Sequence, residues 1–325
     1  MKEIIKLDEK DRKILEELDK DSRQPDSIIA KKVKLSKQVV NYRIQNLLKK
    51  GIIKDFYTAV NTGDFGIDSY YLFLQLENIS GEKEKNFLEK LKSLEYVGWL
   101  VNGIGRWDVI VLIYAKSASE FNLRLEEVLS LCKANLHEYI FTTLINAEHL
   151  GYGSVNNSLK KSFKHTEKKS IRGVDKTDKK ILSLISQDAR ISLVDLSSKL
   201  KNSVQVINYR LKKLIKEKII LGFKPHLDIN KIGLEWYLLL IQFKNLTEKR
   251  KEELFNFLSS HKNIYYISNT IGQYNLMIDV HVYSVEEFRK IIFEFKDKFS
   301  DIIKLIEMFN VFEEQKIDYF PKDLI

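Results

Sequence analysis

The chain has 325 residues, 44% apolar and 11% aromatic, enough for folded cores, which excludes wholesale disorder. Its 54 Lys+Arg against 45 Asp+Glu give a formal net charge of +9, weak evidence on its own for a polyanionic partner. A single cysteine, Cys132, excludes an intramolecular disulfide framework and any multi-cysteine zinc site. The first ten residues lack a signal-peptide core, and no apolar run approaches the roughly 20 residues of a membrane span, so a cytoplasmic chain is expected.

Taken in chain order, Asp8 or Asp11 can open a first helix whose Ile14, Leu15 and Leu18 form an apolar stripe. Pro25-Asp26 opens a short second helix with Ile29 and Val33 on one face. After a polar break at Lys34-Leu35, Ser36 is a good N-cap for a third helix running to Lys50, with Gly51 in the left-handed position beyond. Val40, Ile44, Leu47 and Leu48 form the buried stripe of that helix, so Gln38, Asn41, Tyr42, Gln45 and Lys49 gather opposite. Further on, 70–76 reads as a strand, and Ser80 can cap a helix over 82–94. Strands at 97–102 and 107–114 flank a turn at 103–106. Ser117-x-x-Glu120 is a capping-box pattern opening another helix, and a strand near 140–150 completes the set. This order matches the ferredoxin-like split βαβ arrangement.

The pattern then starts again. Residues 7–56 align with 174–223 without a gap at an offset of 167, and 20 of the 50 positions are identical, Asn41-Tyr42-Arg43 and Asn208-Tyr209-Arg210 among them. The offset persists downstream, where Ile104-Gly105 maps to Ile271-Gly272 and Ser117-x-x-Glu120 to Ser284-x-x-Glu287. Strands at 235–243, 264–270, 274–282 and 303–313 and helices at 248–260 and 284–299 follow. The expected class is α+β: two winged helix-turn-helix DNA-binding domains alternating with two ferredoxin-like βαββαβ (ACT-like) domains. Expected boundaries are 1–60, 61–151, a basic linker at 152–173, 174–227 and 228–325.

Charge follows these modules. Residues 1–60 carry net +5, 152–170 net +4 and 171–227 net +8, whereas 61–151 carry net −5 and 228–325 net −3. Three short helices with a tight turn before the last have the layout of a DNA-reading unit. An exposed Gln or Asn can bond bidentately to adenine, and Ser36, Lys37 and Tyr42 can reach phosphate. The second copy offers Ser203, Gln205, Asn208, Tyr209 and Lys212. A solvated helix face is the plain reading of one such stripe; two copies, each in a basic module, favour DNA. Gln45 becomes Lys212 and Lys37 becomes Val204, so unequal half-site readout is expected. Arg43 and Arg210 sit at the flank, where they can contact phosphate or pair with Asp11 and Asp178; the structural pairing is slightly favoured. Lys160, Lys161, Lys164, Lys168 and Lys169 in the linker can touch phosphate or be merely solvated.

Asp8-x-x-Asp11-x-x-Ile14-Leu15, then Ser36…Val40-x-x-Arg43-Ile44-x-x-Leu47-x-x-x-Gly51-Ile52-Ile53, followed by such a domain, resembles the leucine-responsive/asparagine regulator (Lrp/AsnC) family. The resemblance covers nearly the whole chain, twice. It implies a prokaryotic transcription regulator, possessing in many members an amino-acid-binding C-terminal domain. The family's Gly-x-x-Asp element is matched by Gly105-Arg106-Trp107-Asp108, which marks Gly105 and Asp108 as effector-site candidates. The second copy, Gly272 to Asn275, has amide for acid, so its site is expected to be lost or altered. The alternative for both glycines is a tight hairpin turn. The family's usual chain is one unit that dimerises; here the halves can pair as an intramolecular pseudo-dimer, with a homodimer or higher assembly left open.

The six histidines show no short metal-ligand spacing, and the Gly103/Gly105 and Gly151/Gly153 pairs lack a nucleotide fingerprint. The rival is a fused siroheme-decarboxylase-like enzyme of heme biosynthesis, similar in architecture to the same family. Tyr274-Asn275-Leu276 is similar to part of that pattern, but the expected upstream His and Arg are absent from 265–273. A scaffold that binds neither DNA nor effector is a third option. The expectation is a DNA-binding regulator that is not an enzyme and carries no metal or cofactor.

Overall fold

The computed structural model describes residues 4–156, 163–165 and 174–321. The first repeat opens with α1 (Glu9–Lys20), α2 (Asp26–Val33) and α3 (Lys37–Lys49). Asp8 caps α1 by accepting the Asp11 N–H at 2.7 Å, and Ser36 caps α3 by accepting that of Val39 at 3.2 Å. Ile14, Leu15, Leu18, Val40, Ile44 and Leu47 are all buried, so both apolar stripes close on one small core. The chain continues through β1 (Ile53–Val60), β2 (Asp68–Leu76), α4 (Gly81–Ser93), β3 (Val97–Gly105), β4 (Val109–Ala115), α5 (Ala118–Cys132) and β5 (Leu136–His149). A turn of helix, α6 (Gly153–Asn156), and a short strand, β6 (Phe163–His165), precede the second repeat. That repeat comprises α7 (Lys176–Gln187), α8 (Leu193–Leu200), α9 (Val204–Lys216), β7 (Ile220–Leu227), β8 (Glu235–Phe243), α10 (Glu248–Ser260), β9 (Ile264–Gly272), β10 (Leu276–Val282), α11 (Val285–Phe299) and β11 (Ile303–Ile317).

Each repeat folds its four later strands in the order β5-β2-β4-β3 or β11-β8-β10-β9, the ferredoxin-like arrangement. The two sheets do not stay separate. β3 pairs antiparallel with β11 and β9 with β5, so the eight strands close into one barrel. Side chains alternate along each strand, which sorts them between the lumen and the helices outside. Tyr71 and Phe73 of β2 point into the shared interior, while Tyr70, Leu72 and Leu74 pack with Phe87 and Leu91 of α4 and Phe121 of α5. In the second repeat Leu238 and Leu240 go inward, and Leu239 and Ile241 meet Leu254, Ile291 and Phe295 beneath α10 and α11.

The helix-turn-helix units are joined by a separate ribbon, β1 against β7, in which Ile53 faces Leu227 and Val60 faces Ile220. Its flanks are stapled reciprocally. Arg23 Nη1 donates to the Ala189 carbonyl at 2.5 Å and its guanidinium covers the Phe223 ring. Arg190, at the same repeat position, donates to the Ser22 carbonyl at 3.0 Å and covers Phe56. The ribbon is tied to the barrel through His226 of β7, whose ring nitrogens lie 2.6 Å from Glu314 of β11 and 3.2 Å from Asp55 of β1. Burial opposes charge on His226, but Glu314 and Asp55 outweigh it and raise the imidazole from 6.5 to about 9. Its contribution to stability is therefore complete below the unfolded value and lost as pH rises through the folded one. Resistance to denaturant is expected to fall as pH rises through that window, from about 6.5 to about 9, and His226→Gln to remove most of this dependence.

Sequence periodicity located the helices and most strands, with differences at the ends. Trp107 lies in the turn before β4 and is fully buried, not in a strand. Glu120 and Glu287 do not complete capping boxes; they accept the N–H of Lys116 and Tyr283, one residue before the caps Ser117 and Ser284. Of the proposed linker, Lys164 lies in β6, which pairs with the end of β5. Lys160, Lys161, Lys168 and Lys169 lie outside the described residues.

Candidate functional site

The two third helices carry the first candidate site. Lys37, Gln38, Asn41, Tyr42, Gln45 and Lys49 are exposed on α3, as are Gln205, Tyr209, Lys212 and Lys216 on α9. Tyr42 and Tyr209 are 71% and 70% exposed, far more than a ring with a packing role would be. Ser36 and Ser203 are exposed too, each with its hydroxyl capping its helix. The staples and the ribbon hold these faces in one fixed relation.

Three predicted residues turn out to be tied up. Arg43 Nη1 lies 2.7 Å from both Asp8 and Asp11, and Arg210 pairs with Asp175 at 2.6 Å and Asp178 at 2.9 Å. Of the two roles open to these arginines, the ion pair that locks the third helix to the first is the one formed. It even includes the N-cap aspartates, which sequence reading had not paired. Asn41 donates to Asp26 Oδ2 at 3.0 Å, and Arg190 of the other repeat donates to Asp26 Oδ1 at 2.5 Å. Asn41 therefore sits in the cleft between the two units beside Gln45, with a partner already in hand. Asn208 differs because position 193, the equivalent of Asp26, is leucine.

The Gly-x-x-Asp turns are the second candidate site. Asp108 Oδ2 accepts the Leu76 N–H at 2.6 Å, and Asn275 Oδ1 accepts the Phe243 N–H at 2.8 Å, the same bond at the same repeat position. A carboxylate oxygen and an amide carbonyl do this equally well, so the Asp-to-Asn change keeps the local fold. The glycines answer to the barrel seam. A Cβ on Gly105 would stand 2.5 Å from the Met308 carbonyl oxygen, and one on Gly272, whose φ is +135°, 2.9 Å from that of Phe141. Close approach between repeats constrains both positions, and the positive φ at Gly272 also suits the turn that follows it. Beside Asn275 lies a groove of about 480 Å³, lined by Asn146, Phe243, Lys251, Phe255, Asn269 and Thr270.

Two sets of residues escaped sequence reading. Arg23 and Arg190 had a usable signal, being identical at the repeat offset. Asp279 and His281 also had one, as polar residues inside the otherwise apolar run of β10.

A model for winged helix-turn-helix DNA-binding domains matches residues 7–54 and 174–220. The transcriptional regulator LrpA of Pyrococcus horikoshii is 34% identical over 116 residues, which cover 79% of that protein and 35% of this chain. The chain belongs to the Lrp/AsnC family. The regulator LysM of Saccharolobus solfataricus, 29% identical over 125 residues, likewise covers 85% of its own length and 38% of this chain. Relatives of this kind match a single unit, and this Lrp/AsnC chain has the unit twice. A solved structure that spans both is the siroheme decarboxylase NirDL, with a TM-score of 0.63, 14% identity and coverage of 97% of this chain and 96% of that one. This corrects the expectation of a non-enzyme. That enzyme shares the overall fold over nearly the whole of both chains, so the fold gives no ground for excluding catalysis. Among the described residues, no helix is long and apolar enough to cross a membrane.

Proposed function

We propose that this protein is a cytoplasmic, sequence-specific regulator of transcription that grips double-stranded DNA with α3 and α9 together. The observation that carries this reading is the pair of exposed polar faces at equivalent repeat positions, held in fixed relation by the ribbon and the Arg23 and Arg190 staples. In it, residues 1–60 and 174–227 bind DNA, 152–173 connect, and 61–151 and 228–325 form the effector and pairing domains. Gln38, Gln45, Gln205, Asn208 and Lys212 read bases, while Ser36, Lys37, Tyr42, Ser203 and Tyr209 contact the backbone. Asn41 joins them by exchanging Asp26 for a base, and Arg43 and Arg210 act by bracing the helices. Selection of bound sequences from a random duplex pool tests this. Two unlike half-sites and a steep fall in affinity with salt are expected, and indifference to sequence would refute it.

The groove beside Asn275 supports a small effector, an amino acid among the candidates, with Lys251 available to a carboxylate. Gly105, Asp108, Gly272 and Asn275 shape that region by holding the seam. Exposed Ile104, Phe141, Ile271, Met308 and Phe312 supply an apolar surface that supports a homodimer or higher assembly of the pseudo-dimer.

A second reading, an enzyme of the siroheme-decarboxylase type, is supported by the full-length likeness in fold. Incubation with siroheme and mass spectrometry of the product decides it by the loss of carbon dioxide.

A further inference from the structure

The closed barrel encloses a cavity of about 60 Å³ with walls from all eight strands, among them Trp99, Trp236, Tyr266, Asp279 and Glu314. An adjoining recess of about 10 Å³ shares Trp236, Tyr265 and Glu314 with it and ends on His281. Packing alone does not account for this chemistry. At the equivalent positions of the first repeat, Asp279 is Leu112 and His281 is Tyr114, so the pseudo-symmetry is broken here by introducing polar groups.

The groups differ in how far they are already committed. Glu314 is fully engaged, accepting Trp99 Nε1–H at 2.7 Å and lying 2.6 Å from His226. Asp279 is buried and accepts Trp236 Nε1–H at 2.9 Å. Burial pushes its carboxyl well above the usual carboxylate range, because the lumen places no cation beside it to offset the loss of water. His281 is 2% exposed, and neither ring nitrogen has a hydrogen-bond partner. Burial lowers its pKa to about 3, so the imidazole is neutral and keeps one donor and one acceptor for a guest. Leaving both unpaired is costly unless something occupies the space.

The walls define the guest. Aromatic faces around a buried carboxyl suit an organic cation, which also supplies the counter-charge that Asp279 lacks. No Lys or Arg lines either cavity, and the imidazole of His226 in the recess is already held between Glu314 and Asp55, so a zwitterionic amino acid would strand its carboxylate. The space equals about four to six water positions, far too small for a tetrapyrrole. We propose that the barrel lumen binds a small organic ammonium ion, anchored on Asp279, boxed by Trp99, Trp236 and Tyr266, and met by His281.

All three tryptophans, Trp99, Trp107 and Trp236, belong to the barrel, so intrinsic fluorescence reports directly on its interior. Propylammonium is titrated into the full-length protein beside 1-butanol, butyrate and alanine, with thermal unfolding as a second readout. Saturable quenching and a raised melting temperature are expected for propylammonium only. Asp279→Asn, which keeps an acceptor for Trp236, is expected to weaken binding at least tenfold. Asp279→Leu, the residue of the other repeat, gives the same test should the amide variant fail to fold. Equal binding of the alcohol or the carboxylate, unchanged affinity in the folded variant, or no saturation at millimolar propylammonium would each overturn the proposal.

Discussion

Replacing Lys224 with Met is expected to destabilise the protein by about 3–5 kcal/mol. Lys224 in β7 donates to the Asp19 backbone carbonyl and has its ammonium 3.3 Å from Asp19 Oδ1. Asp19 is fully buried, and its other oxygen accepts the Tyr152 N–H at 3.0 Å. Gly151 closes the remaining side, where a Cβ would stand 2.6 Å from that oxygen. Methionine matches the lysine stem in bulk but removes the ammonium that lies beside the buried carboxylate. The equivalent positions in the repeat are Tyr57 and Ser186, so this pair occurs once and has no twin to share the loss. Urea unfolding reads the effect, and combining the change with Asp19→Asn is expected to recover much of it. A loss below about 1 kcal/mol would show that the pair is only neutral packing.

Changing Gln38 and Gln205 together to Ala is expected to cut specific DNA binding roughly tenfold or more per helix, each bidentate base contact being worth about 1–3 kcal/mol. Both side chains are exposed, on helices whose cores are untouched, so the fold is expected to remain unchanged. Affinity for unrelated DNA and its salt dependence should also persist, since no cation is removed. Replacing Lys49 and Lys216 predicts the opposite: weaker binding to every sequence and a salt slope reduced by about two. Wild-type sequence preference in the glutamine variant, measured by competition between duplexes, would reassign the reading face.

What was legible in the sequence was local. Caps such as Asp8, Ser36 and Ser203 and the stripes they introduce are properties of a dozen neighbouring residues, and the repeat doubled every such signal. The Arg43 clamp was half-visible for the same reason, because Asp8, Asp11 and Arg43 all recur as Asp175, Asp178 and Arg210. The ribbon was not legible. From Phe56 onward β1 is buried on both faces, so it lacks a period of two, and its partner lies in the other repeat. Nor was the seam, since the need for glycine at 105 arises from Met308, more than 200 residues away in the chain. The likeness of Asp108 and Asn275 was obscured because sequence shows charge, whereas their common task is to accept one backbone hydrogen. Excluding an enzyme failed for a different reason: missing motif residues say nothing about what else the same scaffold can carry.

The barrel seam has one further consequence. A dimer of identical chains meets each substitution twice, once on either side of its axis, and an asymmetric improvement is always tied to its mirror image. Here β3 against β11 and β9 against β5 are encoded separately, so each side of the seam can change alone. Asp279 facing a lumen whose other half offers Leu112 is a result no homodimer could reach. The covalent join also makes closure of the ring a first-order event, independent of protein concentration. What duplication provided was thus the freedom for the two halves to become unlike while remaining bound.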